Sequence, residues 1–339
     1  MSKKEAKLQN RKDFWERNQQ TNGYLLERKV GDIVWRVVRA LLLFGLCFLI
    51  LLPLINKLSA SLKAEEDLFD ATVVNLPKNW TLGNYSLAAT MYQYGKGVFS
   101  SAWISLLISV LQVASATLVG YGFARFNFPL KKFWFGCVVL LIIVPPQLIM
   151  APLHLYFTSF DIFGIFEAIN GHRLNLKNSI LPYLMIGGTC MGLKNGLYIY
   201  LLRQFFRGIP KELEEAAYVD GCGNFKTFIR IMLPDAKAMI TSCFLFSFVW
   251  QWTDKFYTDL FLPRDMTLIS RELTKTESLL RQVTAQIYNI EPSKVQVSVA
   301  RLNQITATGT LMAIAPLLII YLFAQKGFVE SLSQTGIKM

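Results

Sequence analysis

Histidine is almost missing from this 339-residue chain. The two present, His154 and His172, stand far apart with no motif around either. Five cysteines occur, Cys47, Cys137, Cys190, Cys222 and Cys243, without a CxxC pair or a zinc spacing. Four lie in apolar runs, so they read as small buried hydrophobes and not as a disulfide framework. No GxxxxGK followed by Ser or Thr occurs, so the chain is not expected to bind ATP or Mg itself. HExxH and GxSxG are missing too, and no catalytic or metal-ligating set can be assembled. The long apolar runs hold almost no carboxylates, whereas an ion-coupled carrier usually keeps some at mid-membrane.

What is abundant is apolar surface. The chain is 53% hydrophobic with a mean hydropathy of +0.36, which predicts an all-α polytopic membrane protein. The formal charge is +12. The basic residues cluster beside apolar segments instead of forming a patch with interleaved aromatics. That arrangement suits lipid headgroups and positive-inside orientation, not nucleic acid.

Six spans are expected, at 33–56, 98–123, 133–157, 179–202, 235–252 and 303–324. Each is about long enough to cross a ~30 Å hydrocarbon core. Residues 1–32 form a basic N-terminal tail, with no cleavable signal expected and the N-terminus cytoplasmic. Residues 33–326 form the transmembrane domain and 327–339 a cytoplasmic C-terminal tail. Pro145-Pro146 must kink the third span, either as a structural bend or as the lining of a pathway. Lys194 falls toward the cytoplasmic half of span four, where it is expected to snorkel. Trp250 and Trp252, with Phe256 and Tyr257, crowd the outer end of span five, as an interfacial belt or as a sugar-stacking platform. Asp254 is placed near that interface, where a carboxylate stays ionised cheaply.

Residues 253–301 are too long for a simple external turn. Ile269, Leu273, Thr276, Leu280, Val283 and Ile287 repeat at helical spacing, which predicts an amphipathic helix ended by Pro292. Val295, Val297 and Val299 alternate like a short strand.

The polar segment 204–234 lies between spans four and five. Pro210 suits a first helical position, and Glu212, Glu214 and Glu215 favour a helix N-terminus. Gly221 can end that helix in the left-handed conformation, and Asn224 is a candidate cap for a second helix through Phe228 to Met232. Leu213, Ala216, Ala217 and Asp220 share a face at spacings of three and four, and the two alanines would admit another backbone.

Glu215-Ala216-Ala217, Gly221, Ile231 and Leu233-Pro234 stand at the offsets of the signature loop of ATP-binding-cassette importer permeases, which this segment resembles. Further segments resemble the carbohydrate-importer branch, similar to the smaller permease subunit of the maltose importer. They are Tyr121-Gly122-Phe123-Ala124-Arg125-Phe126, Val144-Pro145-Pro146-Gln147, and the ending Gly336-Ile337-Lys338. Trp252-Thr253-Asp254 departs from the family's Trp-Asn-Asp, and 259–301 is longer than usual. The resemblance implies a type I importer permease in a bacterial plasma membrane, with both termini cytoplasmic. It implies a second homologous permease, two ATPase subunits that bind the ATP and Mg, and an external solute-binding protein as partners. Glu214, Glu215, Ala216, Ala217, Asp220, Gly221, Ile231, Leu233 and Pro234 would then form the ATPase-coupling loop, and Gly336, Ile337 and Lys338 would reach toward the same interface. Trp250, Trp252, Asp254, Pro145 and Pro146 are candidates for the substrate path. A sugar or oligosaccharide is the leading cargo, a glycerol-phosphate compound the alternative, and a polytopic membrane enzyme a more distant one.

Overall fold

The computed structural model describes residues 18–21 and 24–336. Regular structure among them is helical, apart from two isolated antiparallel bridges, Lys63 with Trp80 and Phe160 with Leu174. The alternating valines therefore form no strand. Val299 instead opens the last helix.

Helix α1, Tyr24–Leu62, begins nine residues before the expected span and is exposed along almost its whole length. Helix α2, Gly83–Met91, packs against the first and last long helices. Asn84 Nδ2 donates to Ser61 O and Lys63 O, both at 2.9 Å, and Arg301 Nη1 donates to Asn84 Oδ1 at 2.8 Å. These bonds use carbonyls at the end of α1 and tie it to the final helix. Before α2, the buried carboxylate of Asp67 accepts from Lys78 N, Asn79 N and Asn79 Nδ2 at 2.8–2.9 Å.

Helix α3, Tyr94–Arg125, is the axis of the packing. Ile104, Ile108, Gln112, Ala116, Gly120 and Phe123 recur at three and four, and all are buried. Small side chains on this face allow close helix crossings. At Gly120 an added Cβ would lie 2.9 Å from Leu202 Cβ and 3.2 Å from Arg203 N.

The third expected span is two helices, α4 at Lys131–Ile143 and α5 at Gln147–Thr158, bent by 106°. Val144 is extended (φ −69°, ψ 119°), as the residue before a proline is forced to be, and Pro145 and Pro146 supply no N–H to continue the ladder. After α6, Ile165–Asn170, the expected fourth span is broken as well, into α7, Leu181–Gly188, and α8, Asn195–Gly208. Cys190 and Lys194 take left-handed conformations in the break (φ 62° and 63°), which no α-helix accommodates.

Helix α9, Glu212–Val219, is followed by α10, Asn224–Thr227, a π-helical turn at Phe228–Met232 and α11, Leu233–Asp235. This run meets α12, Lys237–Thr253, at 74°. The chain then passes through α13, Phe256–Phe261, α14, Ile269–Thr274, and α15, Thr276–Tyr288, into α16, Val299–Gly336. The expected single amphipathic helix is thus two, interrupted at Lys275, and it stops before Pro292 because Asn289 turns left-handed (φ 50°). Its stripe packs on its own chain, with Leu280 buried against Met91 and Ile305.

Among the described residues, α1, α3 and the 299–325 part of α16 are unbroken helices long and apolar enough to cross a membrane, and the two bent pairs qualify when each is taken together.

Candidate functional site

Two regions gather the polar side chains that the helices carry inward. The first joins the end of α3 to α9. Arg125 Nε lies 3.0 Å from Glu214 Oε2, and both side chains are only 8% exposed. The Tyr121 hydroxyl donates to Glu214 Oε1 at 3.0 Å, and Arg125 Nη2 donates to Ile209 O at 2.8 Å. Phe126, Phe206 and Phe228 surround the Tyr121 ring at centroid distances of 4.7–5.6 Å. A buried charge pair joined to a caged tyrosine leaves α9 few alternative positions relative to α3.

Helix α9 ends as the glycine predicted. Gly221 has φ +78°, Cys222 N donates to Ala217 O at 2.9 Å and Gly221 N to Tyr218 O at 3.0 Å. This is the Schellman pattern, which satisfies the last carbonyls of the helix. Asn224 is not a cap. Gly223 occupies that position, and no side-chain cap bond forms. The shared face of the two alanines also divides. Ala217 is buried against its own chain, while Ala216 is exposed. The outward surface consists of Leu213, Glu215, Ala216, Val219, Asp220 and, beyond the turn, Phe225. Val219 is 88% exposed, an apolar side chain with nothing of this chain to cover it. Ile231 and Leu233 are half-buried and Pro234 is exposed. Gly336 is the last residue of α16, and Ile337 and Lys338 lie outside the described residues.

The second region lies deeper. Gln112 Nε2 donates to Leu193 O at 2.8 Å, while its Oε1 accepts from Ser247 Oγ at 2.6 Å and Gln251 Nε2 at 3.1 Å. Tyr183 donates to Asp254 Oδ2 at 3.1 Å and also touches Gln251 Oε1. Asp254 Oδ2 accepts Thr258 N at 3.1 Å and its Oδ1 accepts Phe256 N at 3.2 Å. One glutamine therefore ties α3 to the break between α7 and α8 and to α12. Gly192 is required there, because an added Cβ would sit 2.3 Å from Gln112 Nε2.

This network corrects two sequence expectations. Asp254 is buried and fully engaged, not an interfacial carboxylate. Trp252 is buried too, and its Nε1 donates to Ala313 O at 3.1 Å, so it holds α12 to α16 instead of standing in an interfacial belt. Of the path candidates, Trp250 remains 44% exposed, Pro145 is exposed at the α4–α5 bend, and Pro146 is half-buried beside the α7–α8 break. Gln112 and Tyr183 escaped the sequence reading. A glutamine in the middle of an apolar helix was the available signal. Among the described residues no three His, Cys, Asp or Glu side chains come together to hold a metal.

Comparison with known proteins gives these features a family. Residues 116–332 match the family described as binding-protein-dependent transport system inner membrane component. The chain belongs to that family. A probable ABC transporter permease of Pyrococcus horikoshii is 28% identical over 284 residues, which is 83% of this chain and 90% of the relative. The arabinooligosaccharide transport permease of Halalkalibacterium halodurans is 25% identical, over 86% of this chain and 93% of the relative. Among solved structures, a bacterial ABC transporter involved in import of the acidic polysaccharide alginate has the same fold. It gives a TM-score of 0.64 at 18% identity, covering 87% of this permease and 97% of that chain. The matched region runs from the last third of α3 into α16, so the first polar region lies inside it, and the second does apart from Gln112.

Proposed function

We propose that this permease is one half of the membrane channel of an ATP-driven importer for sugars or oligosaccharides. The observation that carries the reading is the α9 surface within the family match. Its apolar side chains face outward, while Glu214 and Ala217 anchor the helix inward. A second homologous permease completes the channel, and two ATPase subunits bind ATP and Mg and supply the hydrolysis. Helix α9 docks on one of them, and an external solute-binding protein delivers the cargo. The chain sits in a bacterial plasma membrane with six spans and both ends in the cytoplasm, the two bent pairs and the α7–α8 pair each accounting for part or all of one span.

Coupling follows from the anchoring. A push on α9 is transmitted through the Arg125–Glu214 pair into α3, and through the 74° bend into α12. Both helices meet at Gln112, so motion at the inner end reaches the deeper network. The tail after Gln334 is proposed to touch the same ATPase. Carbohydrate cargo is supported by relatives named for arabinooligosaccharide, diacetylchitobiose and maltodextrin transport.

The test is reconstitution with a companion permease, an ATPase and a binding protein. Ala216→Trp should release the ATPase from an otherwise assembled membrane pair. Retention of the ATPase, with normal uptake, would reject α9 as the docking element.

A further inference from the structure

Lys194 is where a lysine is costly to keep. It directly precedes α8, about 20 Å along that helix from Gly208 at 1.5 Å per residue. Two neighbouring helices give the same depth. Gln112, which binds Leu193 O, lies about 20 Å from the Arg125 end of α3. Trp250 lies about 20 Å from the Lys237 end of α12. Counted from the basic inner ends, all three stand well inside a ~30 Å hydrocarbon core, beyond easy snorkelling distance. The left-handed backbone of Lys194 fixes it at the break instead of along a helix face.

The ammonium Nζ lies 5.1 Å from the centroid of the Trp250 ring. Among the described residues no carboxylate comes within ion-pairing distance of it. Asp254 is occupied by Tyr183 and by backbone N–H groups. Next to Lys194, Asn195 is buried with the Cys190 thiol beside its amide, and it lines the same cavity of about 50 Å³ as Lys194, Pro146 and Tyr257. Trp250 keeps 44% of its surface exposed.

An unneutralised cation at this depth is a functional feature by default, and the groups beside it say what it suits. An indole ring packs against the C–H face of a pyranose, while an ammonium pairs with a carboxylate. A cationic cargo would be repelled, and a neutral sugar would leave the charge uncompensated. We infer that Lys194 and Trp250 form a selectivity station for acidic oligosaccharides, chains of uronic acids, on the translocation path. This deepens the carbohydrate-import reading and rests on it.

The experiment uses the complete complex in proteoliposomes with labelled tetragalacturonate and maltotetraose as probes. Wild type should take up the acidic tetrasaccharide in preference to the neutral one. Lys194→Gln should cut uptake of tetragalacturonate about tenfold or more, from loss of a charged hydrogen bond, mainly through the half-saturation concentration. Lys194→Arg should restore it to within about threefold of wild type, which a purely packing role would not predict. Lys255→Gln, at an exposed lysine, should have no effect. Uptake of maltotetraose alone, or acidic uptake insensitive to Lys194→Gln, overturns the station and leaves carbohydrate import standing. Uptake of neither sugar by a complex that hydrolyses ATP overturns both. If Lys194→Gln fails to assemble, the wild-type preference between the two probes decides the matter.

Discussion

Arg125 and Glu214 make a buried ion pair, 3.0 Å from Nε to Oε2, between the last residue of a long apolar helix and the first turn of a short polar one. Removing one partner strands the other charge. Glu214→Ala should therefore destabilise the permease by about 3–5 kcal/mol, and Arg125→Met, Glu214→Leu together by much less. Thermal unfolding of the detergent-solubilised complex measures both, and equal losses for single and double variants would contradict the pairing.

Gly221 needs its positive φ of +78° but has nothing within 4 Å of where a Cβ would stand. The penalty for a side chain is conformational, not steric. Gly221→Val should cost about 1–2 kcal/mol in this turn, with Gly221→Asn milder. In reconstituted transport the Val variant should hydrolyse more ATP per solute imported than the Asn variant. An unchanged ratio would show that the turn does not set the coupling.

Gly120 lies where α3 crosses α8. Gly120→Ala should force Leu202 or the helix backbone aside, at about 1–3 kcal/mol. A lowered unfolding temperature with unaltered membrane insertion is the expected result.

The long segment 253–301 separates into a packed part and a free tip. Leu280 is buried, so Leu280→Ala should cost about 2–5 kcal/mol, and deletion of 265–290 should impair assembly. Ile287 and Tyr288 are exposed at the tip. Ile287→Ser with Tyr288→Ser should leave the fold intact and reduce stimulation of ATP hydrolysis by the binding protein. Full stimulation would exclude the tip as a docking element.

Asp67, in the short turn after α1, supplies a pH test. Burial alone would raise its pKa, but the bonds donated by Lys78 and Asn79 outweigh it and hold the carboxyl below its usual value of 3.8. A depressed folded-state pKa means the carboxylate adds stability above 3.8 and loses it as pH falls through the lower folded value. Pepsin should therefore cut residues 66–80 only once the pH is well below 3.8, and Asp67→Ala should remove that threshold.

Some of this protein was legible without coordinates. Composition determined the helical membrane class, because apolar runs of that length have no other stable form in lipid. Local chemistry determined the bend at Pro145-Pro146 and the turn at Gly221, since both act through the backbone of their own residues. Spaced motifs carried the family. Tertiary structure alone decided which side chains meet. Nothing local says that Glu214 turns inward to Arg125 while Glu215 faces out, or that Ala216 and Ala217 part company. The break at Lys194 was hidden because its left-handed residues, Cys190 and Lys194, are not turn formers, and the surrounding packing holds them there. Trp252 and Asp254 looked interfacial in a linear count of span length. Depth and burial depend on neighbouring helices, and only the packing of α12 against α3, α7 and α16 placed the two residues inside.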